Sequence, residues 1–226
     1  MLYNLLRERG LLVRKRKTRV QTTFSKHWLK KHPNLVKGMM IKMPNLLWVS
    51  DITYIQTADG YCYLSLVTDA YSRRIIGFYL SQTLEAAGSL NALKMALETC
   101  TDTSKLTHHS DRGVQYCSTE YVKILTDNNI RISMTENGDP LENAIAERVN
   151  GILKDELLKQ EYNSYEQAKD HVLIAIEVYN SLRPHSSCNM LTPLKAHEQH
   201  GDLKRHWKNY YKKMERQTNN QLQQKT

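Results

Sequence analysis

Four cysteines are too few and too scattered to frame this chain. Cys62, Cys100, Cys117 and Cys188 never approach a Cys-x-x-Cys pair, which excludes a disulfide scaffold and a thiolate zinc site and reads as reduced intracellular thiols. No apolar run of about 18 residues occurs, so no membrane span is expected. The opening MLYNLLRERG lacks the apolar stretch of a secretory leader. Acidic residues are nearly missing from the first 42 positions: Glu8 stands alone against twelve Lys and Arg, while the other 184 residues hold 20 Lys/Arg and 22 Asp/Glu. The net charge of +9 therefore belongs to a basic arm on a nearly neutral body. That asymmetry points to a polyanionic partner, nucleic acid first, against the plainer reading of a solvated linker.

What is present is a 226-residue chain, 40% hydrophobic and 24% charged, enough for one sizeable core with appendages. Residues 1–10 read as a short helix ending at Gly10; two turns cannot stabilise themselves, so it looks like the tail of a larger helical module. Residues 13–42 read as an irregular arm carrying the cluster Arg14, Lys15, Arg16, Lys17. LWVSDITYIQT (47–57) alternates as a strand, with Trp48, Ser50, Ile52 and Tyr54 on one side and Val49, Asp51, Thr53 and Ile55 on the other. A turn at 58–60 and strands at 61–70 and 73–80 complete an antiparallel meander.

A helix over 85–99, a strand over 105–110, a helix from Ser118 to Asp127 and a strand over 130–134 follow. Asp139 as N-cap, Pro140 at the first position and Glu142 in a capping box announce the next helix, which includes NAIAERVNGILKDEL (143–157). Ser164 and Gln167 repeat the box for a helix to about Leu182, and Thr192-Pro193 opens a short one. The order β-β-β-α-β-α-β-α-α predicts an α/β fold: a five-stranded mixed sheet flanked by helices.

Three carboxylates carry the chemistry. Asp51 lies mid-strand in the most apolar strand, where an unpaired carboxylate is expensive to desolvate. It must face solvent, pair with a cation or hold a metal. Asp111 ends the fourth strand before a glycine turn, where alone it reads as a turn residue. Glu147 shares a helix strip with Asn150, Gly151 and Lys154, at i, i+3, i+4 and i+7, and alone it reads as a solvated face. Two strand aspartates and a helical glutamate can converge where a helix crosses a sheet. Three hard oxygen ligands without His or Cys favour Mg2+ or Mn2+ over zinc, and a pair of such ions suits displacement at phosphorus.

There are 59 residues between Asp51 and Asp111 and 35 between Asp111 and Glu147. This spacing resembles the Asp-Asp-35-Glu pattern of retroviral-type integrases and bacterial insertion-sequence transposases. WVSDITYI, TDAYSRRIIGF, HHSDRGVQY, ENAIAERVNGILKDEL and YNSLRPH followed by LTP are similar to the integrase-like, second-frame product of a large insertion-sequence family, across about residues 44–197. The resemblance implies a ribonuclease H-like fold, a catalytic and metal-binding set of Asp51, Asp111 and Glu147, and two Mg2+ or Mn2+ ions. It also implies phosphodiester hydrolysis followed by 3′-hydroxyl strand transfer. Lys154 falls on a basic residue implicated in holding the transposon end, and Asn143 on the family's Asn before the active-site helix.

Leu141-Glu142 and Cys188-Asn189-Met190 depart from the family pattern without touching the carboxylates. The partners implied are double-stranded DNA, as transposon ends and target, and further copies of the chain in a homo-oligomer on DNA. A cytoplasmic, nucleoid-associated location is expected. The parts read as a basic arm with the remnant of a helix-turn-helix (1–42), an integrase-like core (43–200) and a basic tail (201–226). A nuclease on the same fold, or a catalytically silent DNA-binding subunit, remain the alternatives. Asp69 reads as a turn cap or Arg partner, His108 and His109 as structural, and Tyr179, Asn180, Arg183, Pro184 and His185 as packing, with Arg183 near DNA.

Overall fold

A computed structural model describes residues 2–9, 27–136, 143–159 and 161–206. The expected basic cluster Arg14, Lys15, Arg16, Lys17 and the helix-entry residues Asp139, Pro140 and Glu142 lie outside the described residues.

A short helix, α1 (Leu2–Glu8), precedes the sheet. The alternating run becomes β1 (Leu47–Thr57), which pairs antiparallel with β2 (Gly60–Asp69) from Trp48↔Asp69 to Thr57↔Gly60. The third strand, β3 (Ile75–Ser81), pairs antiparallel with β2. Between them Asp69 closes a tight turn: its Oδ1 accepts from Ser72 N at 2.8 Å and Ser72 Oγ at 2.7 Å, and Arg73 takes a φ of 67°. This turn cap, rather than a pairing with Arg73, is what the aspartate does; the guanidinium donates to Ala70 O instead.

Helix α2 (Ala86–Glu98) lies on β3, and Gly77 makes that approach possible. A Cβ there would sit 2.1 Å from Ala92 O. Then come β4 (Thr107–Ser110), α3 (Val114–Cys117), α4 (Thr119–Asp127) and β5 (Arg131–Met134). α4 is capped by Ser118 as its sequence required. α3 is a single turn that periodicity did not reveal.

The sheet order is β3-β2-β1-β4-β5, with β1–β4 and β4–β5 parallel. The sheet is therefore mixed and five-stranded, as expected. Its two faces bury separate clusters, which is why β1 needs apolar residues on both sides. Trp48 and Ile52 pack with Leu93, Leu106 and Tyr121, under α2 and α4. Ile55 packs with Val149, Ile152 and Tyr179 on the opposite face.

That second face is covered by α5 (Ala144–Ile152) and α6 (Tyr165–Ser181), and α7 (Pro193–His197) packs against α6. The α-helical part of α5 begins at Ala144. Its N-cap is Asn143, whose side chain makes no cap bond; its Nδ2 donates to the sheet. The α-helix does not continue to residue 157. Leu158 N donates to Leu153 O at 2.8 Å, an i→i+5 bond that makes Leu153–Leu157 a π turn. Ser164 and Thr192 cap α6 and α7 as read.

The segment 27–43 is irregular yet anchored. It follows the outer edge of β5, where Met134 N donates to Pro33 O at 3.2 Å and Leu35 N donates to Ser133 Oγ at 2.9 Å. Residues 201–206 return to it: Gly201 N donates to Lys42 O at 2.7 Å, and Lys42 Nζ lies 3.5 Å from Asp202. Among the described residues no helix is long and apolar enough to cross a membrane.

Candidate active site

The parallel pairing of β1 with β4 places the two aspartates. The register aligns Val49 with His109, so two residues further along each strand direction stand Asp51 and Asp111. Asp51 is within β1, and Asp111 directly follows the last residue of β4. The carboxyl ends of adjacent parallel strands are where a twisted sheet opens to a ligand.

Both aspartates are held by backbone. Asp51 Oδ1 accepts from Ile52 N at 2.9 Å, and Asp111 Oδ1 accepts from Gly113 N at 2.9 Å. Gly113 lets that loop close: a Cβ there would lie 3.0 Å from Asp111 Oδ1 and from Gln115 Oε1. Gln115 Nε2 donates to Leu84 O at 2.8 Å, fixing the turn that follows.

α5 is stitched to β1 at Ser50 and at Asp51 itself. Asn143 Nδ2 donates to Ser50 O at 3.0 Å, and Asn150 Nδ2 donates to Asp51 Oδ2 at 2.7 Å. Between them Val149 is buried and Glu147, in the helix's first turn, is exposed. Burial, then the charge of Asp111, push the Asp51 carboxyl up to about 7, with Glu147 adding to the rise and the Ile52 and Asn150 bonds opposing it. The three carboxylates thus share one electrostatic neighbourhood. Among the described residues they do not form a tight group of three side chains already shaped around a metal ion.

Lys154 lies in the π turn, with Nζ 3.6 Å from the centroid of the Tyr54 ring, a cation–π contact with a residue within the same strand as Asp51. Asn143, expected as a DNA contact, is buried with its amide on Ser50. Arg183, expected near DNA, makes a two-pronged pair with Glu156, at 2.7 and 2.8 Å. The rest of its motif packs: Asn180 bridges both backbone groups of Ile75, and Tyr179 reaches His185 at 3.2 Å.

His108 and His109 are both buried and point to different partners, as adjacent strand residues must. His108 Nε2 lies 2.8 Å from Ser50 Oγ and 3.0 Å from Tyr121 Oη, and burial lowers its pKa to about 3. His109 Nδ1 lies 2.9 Å from Ser133 Oγ.

Sequence reasoning had set Asn150 on the Glu147 strip but gave it no task. Its signal was the three-residue spacing, which turns the amide to the same side as the carboxylate. Tyr116 was missed altogether. It is buried, and after burial and Tyr121 the charges of Asp51 and Asp111 hold its phenol protonated. The motif HHSDRGVQY contains it, but only the fold shows that a tyrosine five residues past Asp111 returns to the carboxylates.

Two matches to the integrase core domain cover residues 42–140 and 128–193. The chain is 34% identical over 158 residues to the putative transposase of insertion sequence element IS986/IS6110 of Mycobacterium tuberculosis, covering 67% of this chain and 57% of that protein. It is 34% identical to the uncharacterized 31 kDa protein of insertion element IS600 of Shigella sonnei, covering 84% and 70%. It is 35% identical to the transposase InsF of insertion sequence IS3A of Escherichia coli K12, covering 83% and 66%. The chain therefore spans a little over half the length of the mycobacterial relative.

Among solved structures, the HTLV-2 integrase catalytic core in complex with magnesium superposes with a TM-score of 0.54 at 19% identity, over 69% of this chain and 97% of that one. A chain of the simian T-cell lymphotropic virus intasome in complex with PP2A regulatory subunit B56 gamma superposes at 0.59 and 19%, over 79% and 62%. At that identity the likeness shows the fold, which is ribonuclease H-like. Fold, motif order and relatives agree: the chain belongs to the integrase-core family of insertion-sequence transposases.

Proposed function

We propose that this chain is the catalytic core of a DNA transposase, which hydrolyses a phosphodiester to free a 3′-hydroxyl and joins that hydroxyl to target DNA. The observation that carries the reading is Asp51. A carboxylate at the sheet's centre is oriented by Asn150 and opposed in its ionisation by Asp111 and Glu147. Natural sequences rarely keep such self-repulsion in a core without a use for it.

The donor set fits a hard divalent cation, because Asp51, Asp111 and Glu147 offer oxygen only and a bound cation relieves their repulsion. Asp51 and Asp111 would hold one Mg2+ or Mn2+ ion, and Asp51 with Glu147 a second. Such ions neutralise charge at the phosphorus and activate the attacking hydroxyl. Asn150 keeps one Asp51 oxygen aimed, and Asn143 fixes the start of α5, so Glu147 is presented from a docked helix.

Lys154 and the cluster Arg14, Lys15, Arg16, Lys17 supply cations for the backbone of double-stranded DNA, so affinity falls steeply with salt. The arm (1–42) and tail (201–226) serve binding, the core (43–200) serves chemistry, and joining two transposon ends calls for at least two copies of the chain.

Oligonucleotides test this. With a precut transposon end, target DNA and Mn2+, the wild type is expected to give joined products. Asp51→Asn is expected to give none while still binding DNA. Cleavage without joining would make the chain a nuclease, and an Asp51→Asn variant that still joins DNA would remove Asp51 from the site.

A further inference from the structure

Trp28 is 92% exposed, while Trp48 is completely buried. An indole left in water forgoes the stabilisation that burial gives it, so its placement calls for a reason. Slack in the chain is not that reason, because its neighbours are tied down. His27 Nε2 lies 2.9 Å from Arg112 O. Leu29 packs against the cluster that contains Trp48 and Leu93. Lys31 Nζ donates back to His27 O. Three residues further on the chain is bonded to β5 through Leu35 and Pro33. Trp28 is thus held outward between two anchors.

Its position and its company point to one ligand. The carbonyl that His27 engages belongs to the residue directly after Asp111, so the segment that carries the indole is tied beside the carboxylate site. Lys30 and Lys31 beside it are exposed. From residue 27 to residue 42 the chain carries four lysines and no acidic residue. A protein partner that buried this indole would also have to neutralise the lysines. A strand of DNA supplies an aromatic face and flanking phosphates together. In a duplex the base faces are covered by their neighbours, whereas an unpaired nucleotide offers one.

We infer that Trp28 is a stacking platform for an unpaired nucleotide of the DNA strand engaged at the carboxylate site, with Lys30 and Lys31 taking the phosphates on either side. This rests on the DNA-handling reading above and adds the form of DNA that the site receives: an end or junction with unstacked bases, rather than continuous duplex. Aromatic stacking is tolerant of sequence, so the platform would fix the position of the strand without choosing its bases.

The test uses the full chain and two fluorescently labelled duplexes, one blunt and one with a short single-stranded overhang. The wild type is expected to prefer the overhang. Trp28→Ala is expected to lose about tenfold in affinity for the overhang, with blunt-end binding unchanged, and Trp28→Phe to recover most of the loss. Thermal unfolding should not move, since the side chain covers nothing. Equal binding of both duplexes by wild type and Trp28→Ala overturns the platform and leaves the DNA-handling reading intact. A fall in melting temperature or a change in oligomeric state with Trp28→Ala also overturns it, by showing that another surface covers the indole. If the wild type binds neither duplex, the DNA-handling reading fails and the platform with it.

Discussion

The two aspartates and the glutamate are put in place by different means. Asp51 and Asp111 stand side by side because two parallel strands are in register, and each has an oxygen on a backbone N–H of its own chain segment. Glu147 stands on an exposed helix face, and only the docking of α5 brings it near. That docking depends on buried Val149 and Ile152 and on two asparagine amides that reach the sheet. Backbone pairing places the first two acids along their strands, and only the aim of one Asp51 oxygen depends on a side chain, Asn150. The third is placed by side chains, so single substitutions can change its position while the fold survives.

Breaking the sheet side should have the largest effect. Gly77→Ala puts a Cβ 2.1 Å from Ala92 O, and neither β3 nor α2 can yield without disturbing the other. The expected cost is about 3 kcal/mol or more, read as a lower urea midpoint. An unchanged midpoint would mean the contact relaxes freely.

Next comes the electrostatic strain among the acids. The Asp51 carboxyl titrates near 7 in the folded protein against 3.8 when unperturbed, so its ionisation favours the unfolded chain. The penalty is absent below the unfolded value, grows as pH rises between the two and is complete above the folded value. Metal-free Asp51→Asn should therefore be more stable than the wild type at pH about 8 and equal to it below about 4. His108 has the opposite sign. Its pKa falls from 6.5 to about 3, so it withdraws stability as the solution is acidified through that range, in both proteins alike. Melting temperatures of the two proteins across pH separate these effects, and parallel curves would remove the repulsion from the account.

The helix side gives the smallest change in stability and a clear one in rate. Asn150→Ala removes the amide from Asp51 Oδ2, a bond to a charged group, and should slow strand transfer about tenfold. The melting temperature should change little. A normal rate would show that Asp51 is aimed without help from α5.

β1 was legible because eleven alternating residues bury both faces of one strand, and local pattern decides that. The caps Ser118, Ser164 and Thr192 were legible for the same reason. The entry to α5 is described only from Asn143, whose bond to Ser50 reaches across 93 residues and so was hidden from local pattern, while Asp139 and its companions lie outside the described residues. The π turn was hidden because i→i+4 and i→i+5 bonding leave the same apolar pattern over five residues. Spacing and motif order singled out the three carboxylates as candidates, and the fold puts them in one electrostatic neighbourhood. Asn150 and Tyr116 were not assigned roles, because each meets Asp51, far away in the chain, only through the fold.

β5 is the last strand on its side of the sheet, and the segment at residues 33–35 lies along its outer rim. An uncovered rim is a template on which a second chain can add its own strand. The basic segment therefore also keeps the sheet from growing outward. A shortened form starting after residue 36 would gain a sticky margin at the same time as it lost Lys30 and Lys31, and precipitation of such a truncation would say nothing about DNA.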